Sequence, residues 1–308
     1  MAINKTMRKI MKALSFDDVK VTSSRNIANL KAINPMKIFY NTLDYAVLNG
    51  DYSVPMRVYL PNEDVGSQGT PLKALVFFHG GGWVTDSVEN YNRVCASMAR
   101  STGYAVISVE YRLAPEHKFP TGLYDCYAAV RALFEKDFIL NIDPKDVVLI
   151  GDSAGGNLAA ALSLMARDRG EFIPRCQILI YPAVNNDYSE TSEFGSVHEN
   201  GEDFVLTASR IRQYQEYYKS CDEDLQNPYF APILSADLSN QPRTLIITAQ
   251  YDPLRDEGEE YGRRLSQAGN EVEIYRINNA IHGFFGLGIK HYHVQESFEI
   301  INHFLREC

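Results

Sequence analysis

Short apolar runs punctuate the chain, each followed by a polar or glycine-rich stretch and then by helix-forming sequence. Ala74-Leu75-Val76-Phe77-Phe78, Tyr104–Val109, Asp146–Ile150, Gln177–Tyr181 and Thr244–Ala249 lack the polar alternation of a half-exposed strand. Runs of this kind read as strands buried on both faces. Ahead of them, Leu43–Leu48 and Val54–Leu60 flank Asn49-Gly50-Asp51, a hairpin signal, and a loop rich in Gly and Pro follows from Pro61 to Pro71. Helical patterns run to about Ser101, to about Asp137, from Leu158 and over 256–268, and Val272–Ile277 is the last expected strand. The final helix sets Val294, Phe298, Ile301 and Leu305 on one face. Such alternation predicts an α/β fold, a mostly parallel central sheet flanked by helices.

Two stretches break the rhythm. Near the start, Ile3, Met7, Ile10 and Leu14 repeat at helical spacing with basic residues between them, and residues 15–40 are poorly patterned. Between Asn185 and about Asn227 the chain is acidic and aromatic, with one helix expected after Thr207 carrying Ile211, Tyr214 and Tyr218 on one face. This second stretch reads as an insertion above the carboxyl edge of the sheet, where such folds bind ligands. With Phe194 and Phe204 it offers apolar surface foreign to the core, expected to cover the stripe of the N-terminal helix.

Composition narrows the function more than the fold. A 45% hydrophobic, 22% charged chain of 308 residues can bury a large core, and α/β folds of this length often form one domain. Its net charge of −9 argues against nucleic acid or an anionic membrane as partner. Cys95, Cys126, Cys176, Cys221 and Cys308 are scattered, odd in number and without metal-ligand spacing. They read as buried or idle thiols in a reducing compartment, with no metal site. Lys5, Arg8, Lys9 and Lys12 precede no continuous apolar run, and no stretch is long enough to span a membrane. A cytoplasmic protein is expected; its oligomeric state stays open, a homodimer included.

The chemistry gathers at Gly151-Asp152-Ser153-Ala154-Gly155-Gly156-Asn157. A buried strand precedes this G-x-S-x-G and a helix-forming stretch follows, the setting of a nucleophile elbow. Gly151 and Gly155 suit a turn with no room for a Cβ. A serine hydroxyl needs a base and a group to orient that base, and in this fold they follow in the order serine, acid, histidine. His282, in Ala280-Ile281-His282-Gly283-Phe284 past the last strand, is the expected base; His291, His293 and His303 read as a solvated helix face. Asp252 closes the strand ending Ala249-Gln250-Tyr251, and Asp252-Pro253 sets a turn there, so it is the expected acid. Asp256 and Glu257 read instead as first-turn residues favoured by the helix dipole. An oxyanion needs fixed donors: Ala154 N–H at the helix start is one. Gly81 and Gly82 of His79-Gly80-Gly81-Gly82-Trp83 supply others, the form this loop takes in lipases and esterases. No Walker lysine accompanies those glycines, which removes a phosphate cradle.

His79–Trp83, Tyr111-Arg112-Leu113-Ala114-Pro115-Glu116, Gly151–Asn157, Asp252–Glu257 and His282-Gly283-Phe284 together resemble the hormone-sensitive-lipase-like esterases, as does Asn227-Pro228 followed by Pro232. The resemblance implies an α/β-hydrolase core, no cofactor, and hydrolysis of short- to medium-chain carboxylic esters. It also implies a helical cap, built from about 1–40 and about 185–227 on a single domain. Asp86 departs from the glycine usual at its position, putting a side chain and a negative charge beside the donor loop; Lys118 stands where proline is common. Ser153 would attack the ester carbonyl, His282 would carry the proton, and Asp252 would orient the imidazole. Trp83 and Phe284 are expected to line the cleft or its floor, and Asp152 to hydrogen-bond neighbouring backbone. A deacetylase or amidase acting on a specific metabolite or sugar uses the same triad. A non-catalytic receptor is the reading from another class, and it typically lacks one of the three.

Overall fold

The computed structural model describes residues 21–31, 42–62 and 71–308. A helix, α1 (Val21–Lys31), precedes the hairpin strands β1 (Thr42–Asn49) and β2 (Tyr52–Tyr59). Then follow β3 (Leu72–Phe78), α2 (Asn92–Thr102), β4 (Ala105–Val109), α3 (Thr121–Phe134), β5 (Ile142–Asp152), α4 (Ala154–Arg169) and β6 (Cys176–Ile180). After an insertion with α5 (Gly195–Asn200) and α6 (Ala208–Tyr218), the alternation resumes as β7 (Arg243–Tyr251), α7 (Arg255–Gln267), β8 (Val272–Ile281) and α8 (Tyr292–Glu307).

The eight strands form one sheet in the order β1-β2-β4-β3-β5-β6-β7-β8. β1 pairs with β2 and β2 with β4 antiparallel, and every other pairing is parallel. This is the α/β-hydrolase fold, and the physical cause is visible in β3. Val76 and Phe78 enter one hydrophobic core while Leu75 and Phe77 enter the other, so both faces of the strand are buried. The first core is filled from α3, α4 and α7, the second from α2 and α8. Each large apolar side chain so buried contributes roughly 1.5–3 kcal/mol. On α8 that second core takes Val294, Ile301 and Leu305, as the periodicity predicts, with Phe298 packed at its margin.

The amphipathic stretch over 3–14 lies outside the described residues, and the poorly patterned region beyond it contains α1. Two expectations change. Cys176 and Cys308 are not idle thiols: a disulfide joins them across 132 positions, tying the end of α8 to the start of β6. His293 is not on a solvated face; it is buried, with Nε2 3.1 Å from the Asn278 carbonyl, because it sits on the side of α8 turned toward β8. Apolar side chains of the insertion pack on the body of the protein, while the stripe expected to cover them lies outside the described residues. Phe204 stacks on Tyr251 at 5.3 Å and Tyr218 on Trp83 at 4.6 Å, both core-side contacts.

Candidate active site

β5 delivers Ser153 at the carboxyl edge of the sheet, next to its centre. The serine has φ 56° and ψ −117°, a strained conformation that a tight strand-to-helix turn imposes. That turn needs its glycines: a Cβ on Gly155 would lie 1.9 Å from the Phe78 carbonyl oxygen, and one on Gly151 2.3 Å from Gly155 backbone. Ser153 N–H donates to the Ile180 carbonyl at 2.9 Å, locking the elbow to the neighbouring strand. Asn157 ends the motif by donating its amide to the Ala183 and Phe230 carbonyls, both at 2.8 Å.

Three residues far apart in the chain meet here. His282 Nε2 lies 3.0 Å from Ser153 Oγ, and its Nδ1 lies 2.7 Å from Asp252 Oδ2. With Nδ1 donating to the carboxylate, Nε2 is left to accept the serine proton. Asp252 is buried, and Leu254 N–H donates to its other oxygen at 2.9 Å, so the Asp252-Pro253 turn orients the carboxylate as it leaves β7.

The donors are oriented through their own peptides. Because the C=O and N–H of one peptide point opposite ways, tying off a carbonyl aims the N–H on its far side. His79 Nδ1 lies 2.8 Å from the Gly80 carbonyl, which orients Gly81 N–H. The Gly81 carbonyl accepts from Val84 N–H, Thr85 N–H and Thr85 Oγ1 at 3.1, 2.9 and 3.0 Å, which orients Gly82 N–H. The Ser153 carbonyl accepts from Asn157 and Ala183, which orients Ala154 N–H at the start of α4. All three donor residues line one cavity with Ser153 and His282. Asp86 adopts φ 68°, the left-handed conformation that glycine would take without cost. Its carboxylate accepts from Asn90 Nδ2 at 2.9 Å and from Thr85 Oγ1 at 3.4 Å, so the substitution keeps the loop and adds an anchor.

The cavity holds about 460 Å³, within the usual range for a small-molecule site. Its far wall comes from the insertion and α1: Leu206, Ile211 and Tyr214 face the donors, and Ser24 reaches the rim. Tyr214 rests directly on the donor loop, since a Cβ on Gly82 would lie 2.4 Å from its ring. Trp83 lines the cavity, whereas Phe284 stands one layer behind, buried edge-on against Tyr181 at 5.2 Å. Among the described residues no group of three or more His, Cys, Asp or Glu could hold a metal ion, and no helix is long and apolar enough to cross a membrane.

Several contacts have no signal in the sequence. Arg25 of α1 donates to the Val84 and Ala114 carbonyls, both at 2.9 Å, and pairs with Glu116, fastening the N-terminal side beside the donor loop. Glu257 stands in the first turn of α7, as the sequence predicts, and has buried partners there that the sequence does not announce. It is fully buried, and one oxygen accepts from Val184 N–H, Asn185 N–H and Tyr188 Oη at 2.8, 3.1 and 2.7 Å. Burial pushes its carboxyl up to about 8, against the pull of those donors. Asp256 instead accepts Ser196 N–H at 2.7 Å and pairs with Arg255. Apart from Arg255 and Asp256, these partners lie tens of residues apart, so no local pattern announces them.

Residues 75–286 match the family of the alpha/beta hydrolase fold. An arylesterase of Saccharolobus solfataricus is 37% identical over 246 residues, 80% of this chain and 77% of the relative. An ethyl acetate hydrolase of Pseudomonas putida is 34% identical over 238 residues, 77% of this chain and 73% of that protein. Among solved structures, a hyperthermophilic esterase from the archaeon Pyrobaculum calidifontis superposes with a TM-score of 0.86 at 36% identity, covering 100% of this chain and 99% of that one. With an elbow serine, a donor loop and a histidine facing them across one cavity, the chain belongs to the hormone-sensitive-lipase-like family of α/β-hydrolases and is a carboxylic ester hydrolase.

Proposed function

We propose that the protein is a serine carboxylesterase acting on short- to medium-chain esters through a Ser153–His282–Asp252 triad. The observation that carries this reading is the imidazole of His282, within hydrogen-bond reach of Ser153 Oγ on one side and Asp252 on the other. Ser153 attacks the ester carbonyl as His282 takes its proton, and the oxyanion forms against the N–H groups of Gly81, Gly82 and Ala154. His282 then returns the proton to the leaving alcohol, and water repeats the cycle to release the acid and restore the serine. We read the roof over this site as the cap expected from about 1–40 and about 185–227, of which 21–31 and the insertion are among the described residues. Its apolar wall and the modest cavity support the short- to medium-chain preference, as does the likeness to an ethyl acetate hydrolase.

Ser153→Ala tests the chemistry: turnover of nitrophenyl acetate should fall by about 10⁴-fold or more with the unfolding midpoint nearly unchanged. A fluorophosphonate should label wild type at Ser153 alone; labelling elsewhere, or turnover in the variant, removes the assignment. A nitrophenyl series from acetate to decanoate reads the chain preference, which should peak below the octanoate.

A homodimer and cytoplasmic residence belong to the same reading. β8 is an open parallel edge with Ile274 and Tyr275 exposed, a template for pairing with a second copy. Light scattering should give twice the 34.8 kDa chain mass, and a monomer at micromolar concentration would refute it. Cys95, Cys126 and Cys221 remain free thiols, which suits a reducing compartment; the Cys176–Cys308 bond is the feature at odds with it. Recovery of the native protein outside the cytoplasm on cell fractionation would decide against it.

A further inference from the structure

Beside the nucleophile stands a buried carboxylate that the triad chemistry does not use. Asp152 is the last residue of β5 and is 3% exposed. Three donors from three separate parts of the chain converge on it. Gly80 N–H donates to Oδ1 at 2.8 Å, while Tyr91 Oη and Tyr181 Oη donate to Oδ2 at 2.9 and 3.2 Å. Each donor leads to a different working part. Gly80 begins the loop whose next two N–H groups face the cavity, and it packs so closely that a Cβ there would lie 2.8 Å from Asp152 Oδ2. Tyr91 sits just before α2 on the cavity wall. Tyr181 lays its ring beside the His282 imidazole, centroids 4.7 Å apart, and its hydroxyl also accepts Phe285 N–H at 3.2 Å from the segment after His282.

We propose that Asp152 is a positioning residue for ester hydrolysis, holding the oxyanion loop through Gly80 and the His282 loop through Tyr181 while setting a fixed negative charge near the imidazole. The inference rests on the triad reading above. The geometry favours an accepting carboxylate over a packing residue. All three partners are donors: the Gly80 N–H, the Tyr91 hydroxyl and a Tyr181 hydroxyl whose oxygen is already occupied by Phe285, so that its proton is directed to Asp152. Asparagine has a single accepting oxygen, so it would leave either Gly80 N–H or the two tyrosine hydroxyls facing an NH2 group in a buried place, which is costly. The reaction passes through an imidazolium at His282, and a nearby buried carboxylate stabilises that cation more than it does the neutral ring. Burial pushes the Asp152 carboxyl above the ordinary aspartate range, opposed by Tyr91, Gly80 and the positive forms of His79 and His282. Tyr91, Tyr111, Tyr181 and Cys95 are the neutral titratable groups that share its field, and each is itself pushed up, first by burial.

Asp152→Asn, which keeps the shape and removes the charge, is the deciding variant. Its kcat on nitrophenyl acetate should fall about tenfold or more with KM within about twofold, since the loss falls on the transition state. Removing a negative charge disfavours the imidazolium, so the acid limb of the kcat/KM profile should move to lower pH, a change that loosened packing would not produce. Tyr181→Phe keeps the ring and drops the hydroxyl; its kcat should fall about threefold or more, and in the double variant the losses should not multiply. Wild-type kcat in Asp152→Asn, an unmoved acid limb, or multiplying losses would overturn the proposal. Should Asp152→Asn fail to fold, Tyr181→Phe decides, a wild-type kcat again overturning it. Ser153→Ala run alongside separates the two readings: if it is inactive while Asp152→Asn is unimpaired, only the positioning role fails.

Discussion

The floor of the cavity and its roof are held by different means. The floor consists of the elbow, the donor loop and the turn bearing Asp252, at the carboxyl ends of β5, β3 and β7. Nearly every peptide there is tied by a backbone hydrogen bond or a buried carboxylate, and glycines occur where a Cβ would strike main chain. The roof, α6 with the rest of the insertion and α1, is held mainly by side chains, with a backbone tie from Phe119 N–H to the Tyr218 carbonyl at 2.7 Å. Tyr218 on Trp83, Phe204 on Tyr251, Arg210 Nη2 donating to Ser24 Oγ at 2.6 Å and Glu257 beneath residues 184–188 do that work. Backbone ties leave little freedom, so the floor suits electrostatic preorganisation. Side-chain contacts can be exchanged one at a time without refolding the chain, so the roof suits specificity.

Variants in the two regions should therefore fail differently. The largest effect belongs to the floor. Gly155→Ala would drive a methyl into the Phe78 carbonyl, which cannot move without displacing β3. Urea unfolding should show about 3 kcal/mol or more of destabilisation, and hydrolysis should nearly vanish. A stable, active Gly155→Ala enzyme would mean that the elbow is looser than its contacts show. In the roof, Tyr214→Ala removes a ring resting on Gly82 and lining the cavity. Stability should change by about 1 kcal/mol, while the ratio of kcat/KM for hexanoate over acetate should rise about tenfold, a specificity change of roughly 1.4 kcal/mol. An equal fall for every acyl length would show that Tyr214 supports the floor instead.

The roof's anchor reads out in the pH dependence of stability. Glu257 accepts all three of its hydrogen bonds at one oxygen, and the other is buried without a partner among the described residues. Its carboxyl sits at about 8 in the fold, above its ordinary 4.5, so the folded state binds this proton more tightly than the unfolded chain does. The contribution of this group to stability is therefore greatest below its unfolded value and declines as pH rises from about 4.5 to about 8. Glu257→Gln keeps the accepting oxygen and cannot ionise. Measured by urea unfolding, the stability of the variant relative to wild type should rise between pH 5 and pH 8, by about 3 kcal/mol for a shift of that size. A flat difference across that range would show that Glu257 titrates at its ordinary value.

The same division separates what could be read from the chain and what could not. The buried strands, their alternation with helices, the elbow and the order serine, acid, histidine follow from local patterns. A parallel strand buried on both faces must be apolar throughout, and a turn without room for a Cβ must carry glycine. Sequence reasoning alone therefore reached Ser153, Asp252 and His282, and the structure brings these side chains within hydrogen-bond reach of one another. The tertiary structure alone decided the rest. Asp152 could be seen as an elbow residue, but its donors sit 72, 61 and 29 positions away. Arg25 lies in a stretch without pattern and meets its partners 59 and 89 positions on, and Cys176 meets Cys308 across 132. The reason is physical. Periodicity and turn chemistry record what the backbone requires within a few residues, whereas the partner of a buried polar group is set by which chain ends the sheet order brings together.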